Sequence, residues 1–172
     1  MNAKLIIYNN AVLSYKDILS YFLNIPNSEL LIKLGFFGKP YLLNTLVNFN
    51  VSYKHDIGVI LISDYLKVGI DIEYKNLNLK GISKILSDNE IILYNRLDIK
   101  TKNIFVSKIF CIKESILKAI GVGITEQLSL IDISKYNNLN RFTFICKLNK
   151  QKYKLSIIIL DLGNYWLVLT FY

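Results

Sequence analysis

Two consecutive apolar runs near the middle of the chain constrain its fold more than any other feature. The first covers residues 57–62, and the second, residues 68–74, reads VGIDIEY. Both are rich in β-branched residues and have the length of a strand, so we expect two strands. The five residues between them, 63–67, suit a turn. The pattern therefore predicts a hairpin with residues 68–74 as its second arm.

The second run carries two carboxylates, Asp71 and Glu73, one residue apart. Alternation along a strand places both on the same face as Gly69. One interpretation is the exposed polar face of an edge strand. The other is a site on a central strand, where carboxylates are costly to bury unless they are paired or bind a metal. Gly69 would leave room for a close approach, and a hard divalent cation such as Mg²⁺ would relieve the repulsion between the carboxylates.

The remaining patterns indicate strands and helices in both halves of the chain. Ser87 and Glu90 have capping-box spacing, which predicts the start of a helix, and Gly121 is suited to end a helix over residues 101–120. The other expected elements are a strand at 4–8, a helix at 15–23, and strands at 49–53, 142–148, 154–160 and 165–172. We therefore expect an α+β fold of two similar lobes, 1–68 and 69–172, in a pseudo-twofold arrangement within one compact unit. Each lobe would have a small antiparallel sheet packed on a helix.

Composition limits the class of protein. The chain has 172 residues, of which 52% are hydrophobic, enough for a sizeable core. Its net charge of +8 favours an acidic partner: nucleic acid, an anionic membrane, an acidic protein or a phosphorylated small molecule. Two distant cysteines predict neither a disulfide framework nor a zinc cluster. The sequence shows no signal-peptide core and no apolar run of about 18 residues. We therefore expect a cytoplasmic protein without a membrane partner.

The predicted helix at 101–120 carries further candidate residues. A helical wheel places its apolar residues on one broad arc, and Ser107, Cys111, Glu114, Ser115 and Lys118 on the opposite arc. Lys113 falls inside the apolar arc, where it either extends its ammonium to the surface or has a functional role. Glu114 and Lys118, four residues apart, could be an ordinary exposed ion pair.

The only histidine, His55, supports neither a usual zinc site nor an acid–histidine–nucleophile set. We interpret it as a surface turn residue.

Two of these segments together resemble the signatures of the 4′-phosphopantetheinyl transferases. VGIDIEY resembles the family's Gly-hydrophobic-Asp-hydrophobic-Glu strand, and FCIKESILK at 110–118 resembles its aromatic-x-x-Lys-Glu-Ser/Ala-x-x-Lys helix. The upstream segments GKPY at 38–41 and FNVSY at 49–53 are also similar to family motifs. The resemblance extends from about residue 13 to residue 123. The mid-chain position of Asp71 is similar to the surfactin-synthetase-activating class, a two-lobed monomer, and differs from the short trimeric holo-carrier-protein synthases.

The resemblance implies a reaction and a set of residues. Asp71, Glu73 and Glu114 would bind Mg²⁺, or Mn²⁺, together with the pyrophosphate of coenzyme A. The phosphopantetheine arm would move to a serine of an acidic apo acyl or peptidyl carrier protein, which agrees with the charge of +8. Glu114 would act as the base, and Lys118 would stabilise the leaving phosphate. The residues implied in coenzyme A binding are Lys39, Ser52, Tyr53, Lys113 and Lys118.

Departures from the family pattern keep other readings open. Tyr53 stands where the family usually has a histidine, and the N-terminal part is short, so that Lys4 or Lys16 would have to replace its basic residues. Glu90 matches a glutamate common in the family, although capping alone would explain it. One alternative is a degenerate member that binds coenzyme A or a carrier protein without catalysis. Another, based on charge alone, is a small nucleic-acid-binding protein; the transferase interpretation expects no nucleic acid.

Overall fold

Two antiparallel sheets, each packed against one helix, form the fold of this α+β protein. The computed structural model describes residues 3–43, 45–76, 81–123 and 128–172. The first sheet has the strand order β1 (Ala3–Asn9), β5 (Ile57–Ser63), β4 (Asn48–Lys54). The second has the order β6 (Val68–Tyr74), β9 (Tyr165–Phe171), β8 (Gln151–Asp161), β7 (Arg141–Leu148). The antiparallel sheets packed on helices that the sequence predicted are confirmed.

The first sheet is built from the N-terminal part of the chain. Its strands are β1 (Ala3–Asn9), β4 (Asn48–Lys54) and β5 (Ile57–Ser63), and β2 (Ile32–Leu34) and β3 (Pro40–Leu42) form a separate small hairpin. Helix α1 (Tyr15–Leu23) begins at a capping box on Ser14 and buries Ile18 and Leu19 against this sheet. The bounds of α1 agree with the predicted helix.

The second sheet is built from β6 (Val68–Tyr74), β7 (Arg141–Leu148), β8 (Gln151–Asp161) and β9 (Tyr165–Phe171). Helix α4 (Ile99–Ile120) packs on it and ends at Gly121, whose φ of 87° is the left-handed conformation that favours glycine. Two short helices precede α4, namely α2 (Ile82–Ile85) and α3 (Asp88–Asn95), and the predicted capping box between Ser87 and Glu90 is present at the start of α3. Single turns of 3₁₀ helix follow α4 at Leu128–Leu130 and Ser134–Tyr136.

The predicted hairpin between residues 57–62 and 68–74 is wrong. Strand β5 pairs with β1 and β4, whereas β6 pairs with β9, so residues 64–67 carry the chain from one sheet to the other. The true hairpin is β4–β5, and His55 lies in its turn with a φ of 51°, which confirms the turn assignment. Strand β5 is apolar on both faces because one face packs on α1 and the other on β6 and β9.

Strand β6 is also not the central strand that its apolar pattern suggested, because it is the last strand of its sheet. It is nevertheless buried, since β4 of the first sheet lies along its open edge. Asn50 Oδ1 accepts a hydrogen bond from the Ile70 amide at 3.0 Å, and Ser52 Oγ accepts one from the Ile72 amide at 3.4 Å. Side chains of β4 therefore satisfy the edge amides that a further strand would otherwise pair.

Candidate functional site

A cleft of about 430 Å³ lies where the two sheets meet. Both sheets contribute to its wall, together with the β2–β3 loop and the C-terminal half of α4. The polar and charged residues that line it are Lys39, Asn50, Ser52, Tyr53, Asp71, Glu73, Glu114 and Lys118. The structure thus brings together seven of the eight residues that the sequence put forward as site residues, all except Lys113.

Gly69 sets the distance between strand β6 and helix α4. A Cβ at this position would lie 2.0 Å from the Ser115 carbonyl oxygen and 2.4 Å from the Ala119 amide nitrogen. The space beside the carboxylates is therefore filled by the helix backbone. Because the two backbones approach this closely, Glu114 and Lys118 of the helix lie beside Asp71 of the strand.

Asp71 is held by side chains from strand β4 and helix α4. Its Oδ1 accepts hydrogen bonds from Ser52 Oγ at 2.9 Å and from Lys118 Nζ at 2.7 Å, and Lys118 Nζ also lies 3.1 Å from Ser52 Oγ. Burial lowers the pKa of Lys118, but the nearby charges of Asp71 and Glu114 outweigh burial and raise it. The predicted exposed pair between Glu114 and Lys118 is wrong, since the ion pair of Lys118 is with Asp71.

Glu73 has a lysine partner of its own. Lys54 Nζ lies 2.6 Å from Glu73 Oε1, and the side chain of Glu73 is only 10% exposed. Burial raises the pKa of Glu73, the hydrogen bond and positive charge of Lys54 oppose this, and the charge of Asp71 adds to it. Each carboxylate on β6 therefore has one oxygen paired with an ammonium group.

Glu114 is the most deeply buried of the three carboxylates. It is 2% exposed, and among the described residues it forms no ion pair. Burial, together with the charges of Asp71 and Glu73, raises its pKa to about 7, although the charge of Lys118 acts in the opposite direction. A carboxyl group with a pKa near neutrality can accept a proton at physiological pH, as a general base must.

The donor set suits a hard divalent cation. Asp71 Oδ2, Glu73 Oε2 and Glu114 Oε1 are buried and have no hydrogen-bond partner among the described residues. Buried carboxylate oxygens without donors are costly, and Mg²⁺ prefers oxygen ligands. In the described ranges, no group of three or more histidine, cysteine, aspartate or glutamate side chains is already arranged to hold a metal ion. A bound ion would thus also need water or substrate phosphate oxygens as ligands.

Lys113 lies away from the cleft. Its side chain is fully buried, and its Nζ contacts the Ile85 carbonyl oxygen at 2.7 Å and Glu90 Oε2 at 2.5 Å. The interpretation in which its ammonium reaches the surface is therefore wrong. Glu90 also does more than cap α3, because it accepts hydrogen bonds from the amides of Ser87 and Ile133 as well as from Lys113.

The other expected residues differ in their surroundings. Lys39 lines the cleft but donates to the carbonyl oxygens of Val68 at 3.0 Å and Lys118 at 2.7 Å. Burial lowers the pKa of Lys39 to about 8, and the charge of Lys67 adds to this. Tyr53 lines the cleft with its side chain 56% exposed.

Sequence reasoning missed the roles of Asn50 and Lys54. Together with Ser52 they occupy alternate positions of β4, and all three contact β6. The sequence signal that could have revealed these roles is the alternation of polar residues in Asn-x-Ser-x-Lys at 50–54. In a strand, this alternation places the three side chains on one face. The contacts on β6 could not be read from β4 alone.

Comparison with known proteins assigns the chain to a family. Residues 67–169 match the sequence profile of the 4′-phosphopantetheinyl transferase superfamily. The chain belongs to this superfamily. The matched range includes Asp71, Glu73, Glu114 and Lys118, and the family resemblance seen in the sequence is thereby confirmed. Among the described residues of this superfamily member, no helix has both the length and the hydropathy needed to cross a membrane.

Curated relatives carry names from the same superfamily. The chain is 52% identical over 59 residues to the holo-[acyl-carrier-protein] synthase of Orientia tsutsugamushi strain Boryong, covering 34% of this chain and 45% of the relative. It is 35% identical over 134 residues to the 4′-phosphopantetheinyl transferase gsp of Aneurinibacillus migulanus, covering 76% of this chain and 53% of the relative. The match to the holo-[acyl-carrier-protein] synthase of Pelagibacter ubique is 35% over 103 residues, 53% of this chain and 79% of the relative. The chain thus spans about half the length of the first two relatives.

Proposed function

We propose that this chain transfers the 4′-phosphopantetheine arm of coenzyme A to a serine of an apo acyl or peptidyl carrier protein and releases 3′,5′-ADP. The observation that carries the proposal is the set of three buried carboxylates with unpartnered oxygens beside Lys118, within the range that matches the superfamily. The names of the relatives from Orientia and Aneurinibacillus support the same reaction.

The carboxylates would form the metal site. Asp71, Glu73 and Glu114 would hold Mg²⁺ or Mn²⁺, which when bound would neutralise charge on the diphosphate of coenzyme A. The unpartnered oxygens of the three side chains support this assignment. Lys39, Ser52 and Tyr53 line the cleft on the side of the first sheet and would bind coenzyme A. Lys113 is left out of this set because its ammonium is paired with Glu90.

Two side chains would act in the transfer itself. The carrier serine Oγ would attack the β-phosphorus of coenzyme A, and the bond to the oxygen that bridges the two phosphates would break. Glu114 would accept the serine proton, directly or through water, which its pKa of about 7 favours. Lys118, which already carries a positive charge next to Asp71, would stabilise the phosphate of the departing 3′,5′-ADP.

We also infer that the chain acts as a two-lobed monomer, as in the surfactin-synthetase-activating class. The cleft supports this, because one chain supplies Ser52 from the first sheet, Asp71 from the second sheet and Glu114 from helix α4. The net charge of +8 favours an acidic carrier protein as the second substrate.

Intact-protein mass spectrometry tests the proposal. An apo acyl carrier protein is incubated with the chain, coenzyme A and Mg²⁺, with EDTA in a parallel sample. We expect a mass gain of one phosphopantetheine that EDTA abolishes. Asp71→Asn and Glu114→Ala should remove the gain, whereas Asp161→Asn, an exposed carboxylate paired with Lys75 outside the cleft, should keep it.

Two other outcomes have distinct meanings. If Glu114→Ala remains active, the metal assignment is wrong. If several carrier proteins gain no mass although coenzyme A binds, the chain is a non-catalytic member, and Tyr53, which replaces the usual histidine, becomes the first residue to examine.

A further inference from the structure

Within the part of the chain that the structure describes, Lys54 connects the two sheets through a side-chain ion pair and donates to no backbone group. Asn50 and Ser52, on the same face of β4, both accept hydrogen bonds from amides of β6. Lys54 follows at the next alternate position, and its contact is the ion pair with Glu73, 2.6 Å between Nζ and Oε1. Its side chain is 28% exposed and that of Glu73 is 10% exposed, so Lys54 offsets part of the cost of burying the Glu73 carboxylate. Lys54 is therefore a counter-ion of Glu73 that keeps access to solvent.

The charges around the cleft are nearly balanced within the protein. Lys118 pairs with Asp71, and Lys54 pairs with Glu73. Among the ion pairs of the described residues, Glu114 takes part in none. Lys39, which also lines the cleft, adds a third ammonium group beside the three carboxylates. A divalent cation entering alone would bind the free oxygens of carboxylates whose other oxygen is already paired, and the positive charges of both paired ammonium groups would repel it.

We propose that Lys54 is a built-in counter-ion of Glu73 that weakens the binding of a divalent cation to the cleft until a diphosphate is present. This inference rests on the proposed function for the identity of the diphosphate. A diphosphate brings negative charge and further oxygen ligands, so it offsets the positive charge of Lys54 near the cation. Lys54 has the exposure needed to move its ammonium from Glu73 toward solvent or toward a phosphate, whereas Glu73 remains fixed on β6.

The charge on Lys54 can be removed while its aliphatic part is kept. Lys54→Met leaves Glu73 without its ammonium partner, and Lys54→Arg retains a positive charge. Lys75→Met is a matched control, because Lys75 pairs with Asp161 at 2.5 Å outside the cleft. Urea unfolding of each variant establishes that it is folded before any metal measurement.

Electron paramagnetic resonance of free Mn²⁺ measures binding directly and needs neither coenzyme A nor activity. We expect Lys54→Met to bind Mn²⁺ roughly tenfold more tightly than the wild type, because one repelling charge near the ion has been removed. Lys54→Arg and Lys75→Met should bind it as the wild type does. The double variant Lys54→Met/Glu73→Gln should lose most of the gain, since the effect acts through Glu73.

Several results would overturn the inference. Mn²⁺ binding by Lys54→Met that is unchanged or weaker would show that Lys54 does not oppose the cation. If the double variant keeps the gain in Mn²⁺ affinity over the wild type, Lys54 does not act through Glu73. If Lys54→Met fails to fold, Lys54→Gln replaces it under the same expectations.

Coenzyme A titrations with Mn²⁺ or EDTA separate this inference from the proposed function. Mn²⁺ should tighten coenzyme A binding by a smaller factor in Lys54→Met than in the wild type. By linkage this factor equals the gain in Mn²⁺ affinity that coenzyme A gives, and that gain is smaller in a variant that binds Mn²⁺ more tightly without coenzyme A. An equal or larger factor in the variant would contradict the dependence on a diphosphate. If coenzyme A binds neither protein while Lys54→Met still binds Mn²⁺ more tightly, the proposed function fails and the counter-ion role of Lys54 stands.

Discussion

Replacing Gly69 with alanine should separate the strand and the helix that carry the candidate site. The added Cβ would lie 2.0 Å from the Ser115 carbonyl oxygen and 2.4 Å from the Ala119 amide nitrogen, both atoms of the α4 backbone. Real Cβ contacts stay above 3.0 Å, so the two backbones must move apart by about 1 Å. Neither side can yield easily, because β6 is paired with β9 on one edge and its Ile70 and Ile72 are buried in the core between the sheets.

The size of the effect follows from this geometry. Overpacking a well-packed core costs typically about 1–3 kcal/mol, and a clash between two backbones belongs at the upper end, so we expect Gly69→Ala to lower the free energy of unfolding by about 3 kcal/mol. The bond of 2.7 Å between Lys118 Nζ and Asp71 Oδ1 would stretch by a similar distance and leave hydrogen-bond range. Transfer activity should therefore fall as well.

Urea unfolding followed by circular dichroism measures the loss. The matched control is Gly35→Ala, where an added Cβ would meet only the Lys39 carbonyl oxygen at 3.4 Å, an ordinary contact, so its stability should stay within about 0.5 kcal/mol of the wild type. If Gly69→Ala also stays within about 0.5 kcal/mol of the wild type, the close approach of β6 and α4 does not set the geometry of the site.

Three further substitutions test individual side chains. Glu114 has a pKa raised from 4.5 to about 7 in the folded protein, so the folded state retains a proton that the unfolded state releases, and stability falls as the pH rises from about 4.5 to 7. Glu114→Gln should remove this slope and, without metal, be about 3 kcal/mol more stable than the wild type above pH 7, as urea unfolding at several pH values would measure. Tyr53→His should tighten coenzyme A binding, measured by calorimetry, because a histidine can offer a positive charge to a phosphate. Glu90→Gln should cost about 3–5 kcal/mol in urea unfolding, because it leaves the buried ammonium of Lys113 without its counter-charge.

Each of these substitutions has a control and a contradicting result. A stability profile for Glu114→Gln that still falls through the same pH range would assign the titration to another group. Tyr65→His changes an exposed tyrosine outside the cleft and should leave coenzyme A affinity unchanged; equal affinity for Tyr53→His would show that this position was misread. The double variant Glu90→Gln/Lys113→Met should recover much of the lost stability, and a failure to recover would mean that the pair is not the cause.

Local patterns in the sequence were enough to predict most helices and strands. The bounds of α1, the capping box at Ser87 and the end of α4 at Gly121 all depend on residues within a few positions of one another. Partners of strands depend on distant residues, and there the prediction of a β5–β6 hairpin was wrong. Val68 of β6 pairs with Phe171 of β9, about a hundred residues later, and no local signal specifies that choice.

The same distinction applies to the candidate site. The strand and helix signatures predicted that Asp71, Glu73, Glu114 and Lys118 belong together, and all four line one cleft. Their pairing was not predictable, because the partners come from other elements. Lys113 is buried only because Glu90 reaches it from α3, and Glu73 has a counter-ion only because β4 lies along the edge of β6.

The junction of the two sheets has a consequence for how such a protein can diverge. Among the described residues, no main-chain hydrogen bond joins the first sheet to the second; side chains such as Asn50, Ser52 and Lys54 make the connection. A substitution at one of these positions can thus change the fit between the halves while both hydrogen-bond ladders stay complete. The half that carries Asp71 and Glu114 can keep its residues while the half that carries Tyr53 varies. Tyr53, which lines the cleft, and the adjacent Lys54, which pairs with Glu73 of the second sheet, are the positions of β4 at which ligand binding can change without rebuilding either sheet.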